Sequence, residues 1–277
     1  MTDVKPISMD DISAARDVLS GHVLRTPSIA VPAISKLTGV DVFLKLENQQ
    51  VTGSFKTRGS LVRMNALSDA ERRAGVVAAS AGNHAQGVGY HAERLGIPAT
   101  IYMPANTPFT KVARTEALGA EVILSGESVA ESRALAAETA ANDGRVFIHP
   151  YDDPYVIAGQ ATATVEFIED VADLDVIIVP IGGGGLAAGC CLAAHAMKPG
   201  LEVIGVQADA YPSMRQAFNG QPPHGRGATI ADGIAVKEPG EITTPILKAH
   251  MDIVEVVTES EIERAVQVFV DSQRLIV

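Results

Sequence analysis

Three short stretches of this 277-residue chain hold residue types that could do chemistry, and each also has an ordinary reading. The first is Val51-Thr52-Gly53-Ser54-Phe55-Lys56-Thr57-Arg58-Gly59-Ser60. Gly53 and Ser54 read as a turn and N-cap, so Phe55, Lys56 and Thr57 open a helix. A helix N-terminus carries partial positive charge, which disfavours an ammonium there and lowers the lysine's pKa, as an amine nucleophile requires. On this stretch alone a solvated helix lysine is the better reading. The second stretch, Gly182-Gly183-Gly184-Gly185-Leu186, offers bare N–H groups at a helix start, a cradle for a phosphate. It is not a P-loop, since no Gly-Lys-Ser/Thr follows, but Gly182, Gly184 and Ala187 satisfy G-x-G-x-x-A. The second strand after it ends near Gln207 and Asp209, so a nicotinamide site stays open on spacing. A loop that only lets strand and helix pack closely is the plain alternative, disfavoured because four glycines cost backbone entropy. The third, Ser80-Ala81-Gly82-Asn83-His84, brings a hydroxyl, N–H groups and an amide to another helix start, where a carboxylate could sit. A capped helix explains it equally well, and a lone His84 is more often structural than catalytic.

The elements that must position these stretches alternate between strand and helix. An opening helix is expected near Met9 to Ser20, and strands at 42–46, 75–79, 99–103, 121–124, 146–149, 176–179, 202–207 and 252–257. Helices are expected to begin at the lysine, to follow Ser80–Gly87 to about Leu95, to follow Thr107-Pro108 with Gly119 as C-cap, to cover an alanine-rich stretch, and to run from Pro154 to Val171. Thr258 and Glu261 form a capping box for the last helix. This alternation predicts an α/β fold with two open, mostly parallel sheets and flanking helices. The unit strand, glycine-containing loop, helix occurs twice, at 76–95 and 176–197, each putting a helix N-terminus at a sheet's carboxyl edge, where ligands bind. Two such units suggest two sheets facing one cleft.

Composition narrows the classes. Hydrophobic residues are 47% and charged residues 20%, which is globular and not disordered. A net charge of -11 with no basic run argues against nucleic acid and anionic membrane surfaces as partners. The first twenty residues carry acidic groups and no apolar segment, so no secretory signal is expected. The uncharged run 176–197 is long enough to span a bilayer, but Pro180 and four glycines break it into strand, loop and helix. Cys190 and Cys191 are adjacent and point apart on a helix, which excludes a disulfide framework and favours a reducing cytoplasm.

A lysine nucleophile, a phosphate cradle and a carboxylate cradle together imply pyridoxal 5'-phosphate and an amino acid. Ser54-Phe55-Lys56-Thr57-Arg58-Gly59, Ser80–His84 and Gly182–Leu186, in this order, resemble the threonine/serine dehydratases of the tryptophan-synthase-β fold group, from about Ile7 to Val277. The resemblance implies a large domain (1–52 plus 151–277) and a small one (53–150), with pyridoxal phosphate in the cleft between them. It implies that Lys56 forms the Schiff base and later removes the Cα proton, with Phe55 near the ring. Asn83 would bond the ring hydroxyl, and Gly182, Gly183, Gly184, Gly185 and Leu186 would hold the phosphate. Ser80, Ala81, Gly82, Asn83 and His84 would receive the substrate carboxylate, and Asp232-Gly233 would line the same cleft. The implied reaction is β-elimination from L-threonine to 2-oxobutanoate and ammonia, or from L-serine to pyruvate, in isoleucine biosynthesis or threonine catabolism.

Similar serine racemases have a second serine where this chain has Ala81, so elimination is expected over racemisation. Racemase-like members hold a divalent cation after the strand that corresponds to 202–206; here only Asp209 could serve, and no metal is expected. Family members continue beyond the last capped helix with segments that include the partner of the pyridine nitrogen, so the large domain is expected to lack its C-terminal part. A homodimer or homotetramer is expected. A racemase or other hydroxy-amino-acid dehydratase, an inactive ligand-binding or oligomer-forming form, and a nicotinamide oxidoreductase are the other readings.

Overall fold

The structure, a computed structural model, describes residues 6–251 and 253–275. Asp252, expected to open a strand, lies outside the described residues, as do Ile276 and Val277. The helices are α1 (Met9–Leu19), α2 (Pro32–Thr38), α3 (Lys56–Asn65), α4 (Asp69–Ala74), α5 (Asn83–Leu95), α6 (Phe109–Glu116), α7 (Val129–Asp143), α8 (Pro154–Asp170), α9 (Gly185–Met197), α10 (Ser213–Phe218), α11 (Thr243–His250) and α12 (Glu259–Gln273). The strands are β1 (Ser28–Ala30), β2 (Phe43–Lys45), β3 (Val76–Ala79), β4 (Ala99–Met103), β5 (Glu121–Leu124), β6 (Val146–Phe147), β7 (Val176–Pro180), β8 (Glu202–Ala208) and β9 (Ile253–Val257). The chain divides into two compact units: one of Asp10–Leu24 and Gln49–Thr162, the other of Met1–Met9, Arg25–Asn48 and Ala163–Val277.

The first unit is built on a four-stranded sheet of order β5-β4-β3-β6, parallel throughout. β3 and β4 are buried along their whole length, which is why they read as unbroken apolar runs and not as alternation. Their two faces serve two layers. Val76, Ala78, Ile101 and Met103 pack with Met64 of α3 and Val88 and Ala92 of α5. Val77, Ala79 and Tyr102 meet Ala136 and Ala140 of α7, which explains that helix's alanine-rich face. β6 joins on the far side of β3, so the strand order reverses between β3 and β6. The crevice outside the carboxyl ends of strands at such a reversal is where open α/β sheets bind ligands.

The second unit carries the parallel sheet β7-β8-β9 and the antiparallel pair β1-β2. β7 alternates buried Ile177 and Val179 with exposed Val176 and Ile178, and α9 is buried along most of its length. Cys190 and Cys191 are free and buried in α9, and Cys190 accepts a bond from Thr164. The hairpin β1-β2 is tied to α8 by Lys45, whose ammonium lies 2.8 Å from Glu166.

Several boundaries differ from the sequence expectation for local physical reasons. Ser54 does not cap α3: Phe55 takes the N-cap position and brings no side-chain bond. Pro108 stands at the N-cap of α6 and not at its first helical position. Gly119 lies beyond that helix's end, at φ 83°, with its N–H on Glu116. Strand β6 stops at Phe147, two residues early, because the chain turns there. The capping box at Thr258 is present, with the Glu261 carboxylate accepting the Thr258 N–H at 2.8 Å. β1, α2 and α4 carry no period-two or amphipathic pattern long enough to read in advance. Among the described residues no helix is long and apolar enough to cross a membrane, and the run 176–197 folds as β7, loop and α9.

Candidate active site

Lys56 is the first residue of α3, and its side chain is drawn inward. Nζ donates to the carbonyl of Pro150 at 2.7 Å and stands 5.3 Å from the centre of the Phe55 ring. No carboxylate pairs with it among the described residues. Burial of the uncompensated amine holds its pKa down, to about 8. The sequence argued for this direction from the helix end; desolvation is the cause.

The Pro150 carbonyl is itself held in place. It lies in the turn that follows β6, where Nδ1 of His149 accepts the N–H groups of Asp152 at 2.7 Å and Tyr151 at 3.3 Å. The His149 ring is edge-on to Phe147 and Tyr151. Burial is the main reason its pKa falls to about 4, so Nδ1 stays an acceptor at neutral pH. Nothing in the sequence singled out His149 or Pro150. Their role depends on β6 pairing with β3 across some seventy residues, which local pattern does not encode.

The loop at the end of β3 sits beside them in the same unit. Ser80 donates its N–H to Tyr102 and accepts the Gly82 N–H on its hydroxyl at 3.2 Å. Gly82 is the N-cap of α5 and supplies no side chain. Among the described residues the N–H groups of Asn83 and His84 find no acceptor, so they remain available to an anion at the helix's positive end. Asn83 is exposed. The His84 side chain is committed elsewhere: Nε2–H donates to the Ile148 carbonyl at 2.9 Å. Burial, and next the nearby Lys56, push its pKa down to about 3, so it is a neutral, structural ring. The structure thus brings Lys56, Phe55 and the start of α5 together at the β3/β6 reversal, and gives His84 a backbone role only.

The glycine run lies in the other unit, between β7 and α9. Gly184 has φ 99°, a conformation that side chains rarely adopt. A Cβ there would stand 2.7 Å from the Thr243 hydroxyl, which donates to the Gly183 carbonyl, also at 2.7 Å. A Cβ on Gly182 would meet Val236 at 3.0 Å and Ile234 at 3.2 Å, so the segment after Asp232 packs against this loop. Among the described residues the N–H groups of Gly182, Gly183 and Gly184 donate to no protein acceptor. A cradle of unused N–H groups at the start of a thirteen-residue helix fits a phosphate. Thr243 and Gly240, which hold the Gly183 carbonyl from behind, were not legible in the sequence.

These features fit pyridoxal phosphate, and comparison with known proteins agrees. The family model described as pyridoxal-phosphate dependent enzyme matches residues 19–277. The chain belongs to this family. Within it, the chain is 44% identical over 272 residues to an L-threonine ammonia-lyase of Thermotoga maritima, covering 98% of this chain and 68% of that one. Among solved structures it is similar to a threonine deaminase of Solanum lycopersicum, with a TM-score of 0.91, 34% identity and coverage of 99% and 82%. It is also similar to maize serine racemase, with a TM-score of 0.93, 33% identity and coverage of 98% and 83%. Membership of the pyridoxal-phosphate family closes the nicotinamide reading that spacing had left open.

Proposed function

We propose that the chain is a pyridoxal-phosphate-dependent ammonia-lyase that converts L-threonine to 2-oxobutanoate and ammonia, and L-serine to pyruvate and ammonia. The observation that carries the reading is the Lys56 amine: turned inward, without a carboxylate partner, and lowered to a pKa of about 8 beside a helix start with unused N–H groups. Likeness to threonine ammonia-lyases over 98% of the chain supports threonine as substrate.

In this reading Lys56 Nζ holds the cofactor, and the N–H groups of Gly182–Gly185 take its phosphate, with Leu186 beside them. When bound, pyridoxal phosphate withdraws electrons from the substrate's Cα, chemistry that no side chain supplies. Phe55 and Asn83 flank the ring. Within the Ser80–His84 loop the unused N–H groups of Asn83 and His84 hold the substrate carboxylate and so orient the Cα–H bond. Lys56 Nζ then takes the Cα proton; a pKa of about 8 leaves roughly a tenth of the amine as free base at about pH 7 while keeping it basic enough to act. Loss of the β-hydroxyl as water, followed by hydrolysis, gives the 2-oxo acid and ammonia. The two units serve as small and large domains. We place the protein in the cytoplasm as a homodimer or homotetramer that takes an amino acid and neither nucleic acid nor membrane as partner, with no divalent metal at Asp209.

The test is a spectrum. The purified protein should show a visible absorption band that shifts on adding L-threonine while ammonia is released. Lys56→Ala should lose both, and a persisting band would sink the assignment. Racemisation is the second reading, favoured by the likeness to serine racemases. D-isomer formed without ammonia would select it.

A further inference from the structure

Lys56 opens α3, and the first turn of a helix is its least restrained part, since its N–H groups have no acceptors below them. The local cap of α3 is weak. Phe55 offers no side-chain bond, and the Ser54 hydroxyl is 3.4 Å from the Lys56 nitrogen. The residue after the lysine provides a stronger tie. Thr57 Oγ1 lies 2.7 Å from Nε2 of His91, two turns into α5. Both residues are buried, at 2% and 1% exposure. Nδ1 of the same ring has no partner among the described residues, so the bond to Thr57 is the polar contact that orients it. α5 can come this close because Gly87 faces α3. A Cβ there would stand 3.2 Å from the Lys56 carbonyl carbon and oxygen. The helix that grips Lys56 from behind is the one that begins at Asn83.

We propose that Thr57 and His91 form a positioning pair for the reaction, locking the first turn of α3, and with it the Lys56 amine, in register with the N-terminus of α5. The inference rests on the function proposed above. Neither residue acts on substrate; both act through Lys56. Burial is the main reason the His91 pKa falls to about 4, so the ring is neutral and the bond unchanged throughout the working pH range.

Steady-state kinetics of the holoenzyme test it. Thr57→Val, nearly isosteric, and His91→Phe should each lower kcat about tenfold while moving KM less than about twofold. The double variant should be no slower than either single one, because both remove the same bond. His91→Gln, whose amide reaches the place of Nε2, should recover most of the rate. His91→Asn, whose amide reaches only the place of Nδ1, should not. A packing role alone would make phenylalanine milder than glutamine and leave kcat intact wherever the fold survives. Full kcat in Thr57→Val, or a double variant slowed by the product of the two single effects, would overturn the proposal. If His91→Phe fails to fold, Thr57→Val and His91→Gln decide it. Lys56→Ala is measured alongside. A retained lyase activity there refutes the assigned role of Lys56, whereas a dead Lys56→Ala beside a fully active Thr57→Val refutes only the pair.

Discussion

At the scale of single residues, the proposed chemistry rests on burying an amine that meets no carboxylate among the described residues. Without cofactor, the folded chain with Lys56 at a pKa of about 8 competes with an unfolded chain at the ordinary 10.5. Between those values the unfolded state binds the additional proton, so stability climbs as pH rises from about 8 to 10.5. Below about 8 both states are protonated and the full cost of the buried ammonium is felt. Lys56→Met removes that cost. The cofactor-free variant should therefore be more stable than the parent at pH 7, by on the order of 2–3 kcal/mol, with the gap closing above about pH 8. Denaturant melts at about pH 7 and about pH 10 check this, and a gap that widens with pH would contradict it. The lysine itself was legible from the company of the glycine run and the Ser80–His84 loop, since on its own stretch a solvated helix lysine is the better reading. Its Pro150 partner was not, since that contact is made by chain distant in sequence. Arg58 is a second cation in the first turn of α3. It is wholly buried, donating to Thr162 at 3.1 Å and to the Leu24 carbonyl at 3.4 Å, and so ties the same helix from its other side.

At the scale of elements, glycines set how closely helices and loops approach. On α3 and α8, Gly59 and Gly159 face one another: a Cβ on Gly159 would lie 2.7 Å from the Gly59 Cα. The glycine run works by conformation as well as by space. Gly184→Ala would force a side chain into φ 99° and against Thr243, displacing the hydroxyl that anchors the Gly183 carbonyl. Gly182→Ala meets only the Val236 methyl and the Ile234 Cα, at 3.0 and 3.2 Å, without a left-handed φ. Gly184→Ala should thus weaken pyridoxal-phosphate binding more than about tenfold and cost about 1–3 kcal/mol of stability, with Gly182→Ala clearly milder. Absorbance titration with the cofactor and thermal melts give the order, and equal effects at the two positions would remove the conformational argument. The long buried strands and the glycine loop were readable because apolar runs and four adjacent glycines have few other uses. The β1-β2 hairpin and α2 were not. They are three to seven residues long, and β1-β2 is tied to the fold by Lys45 and Glu166 and not by a pattern of its own.

For the molecule as a whole, the open choice is between two outcomes of one proton removal. In the proposed reaction Lys56 Nζ takes the Cα proton from one face; racemisation would require a donor on the other. The resemblance to serine racemases drawn from the sequence implies a serine hydroxyl in that role, and here the position is Ala81, partly exposed in the loop before α5. A methyl group carries no exchangeable proton, so once Lys56 had taken the Cα proton the substrate would have one productive way forward, expulsion of the β-hydroxyl. Ala81→Ser adds a single oxygen to a partly exposed side chain that packs against the core around Met64 and Val88. The parent enzyme should release ammonia from L-serine with D-serine below detection. The variant should form D-serine, at a rate at least about tenfold above the parent, while keeping part of its lyase activity. Chiral chromatography of the reaction mixture with parallel ammonia assay reads both products. D-serine from the unaltered protein would mean that a donor other than residue 81 reaches the second face. A variant that gains no D-serine while its melting temperature and cofactor band are unchanged would mean that the loop does not present residue 81 to the substrate.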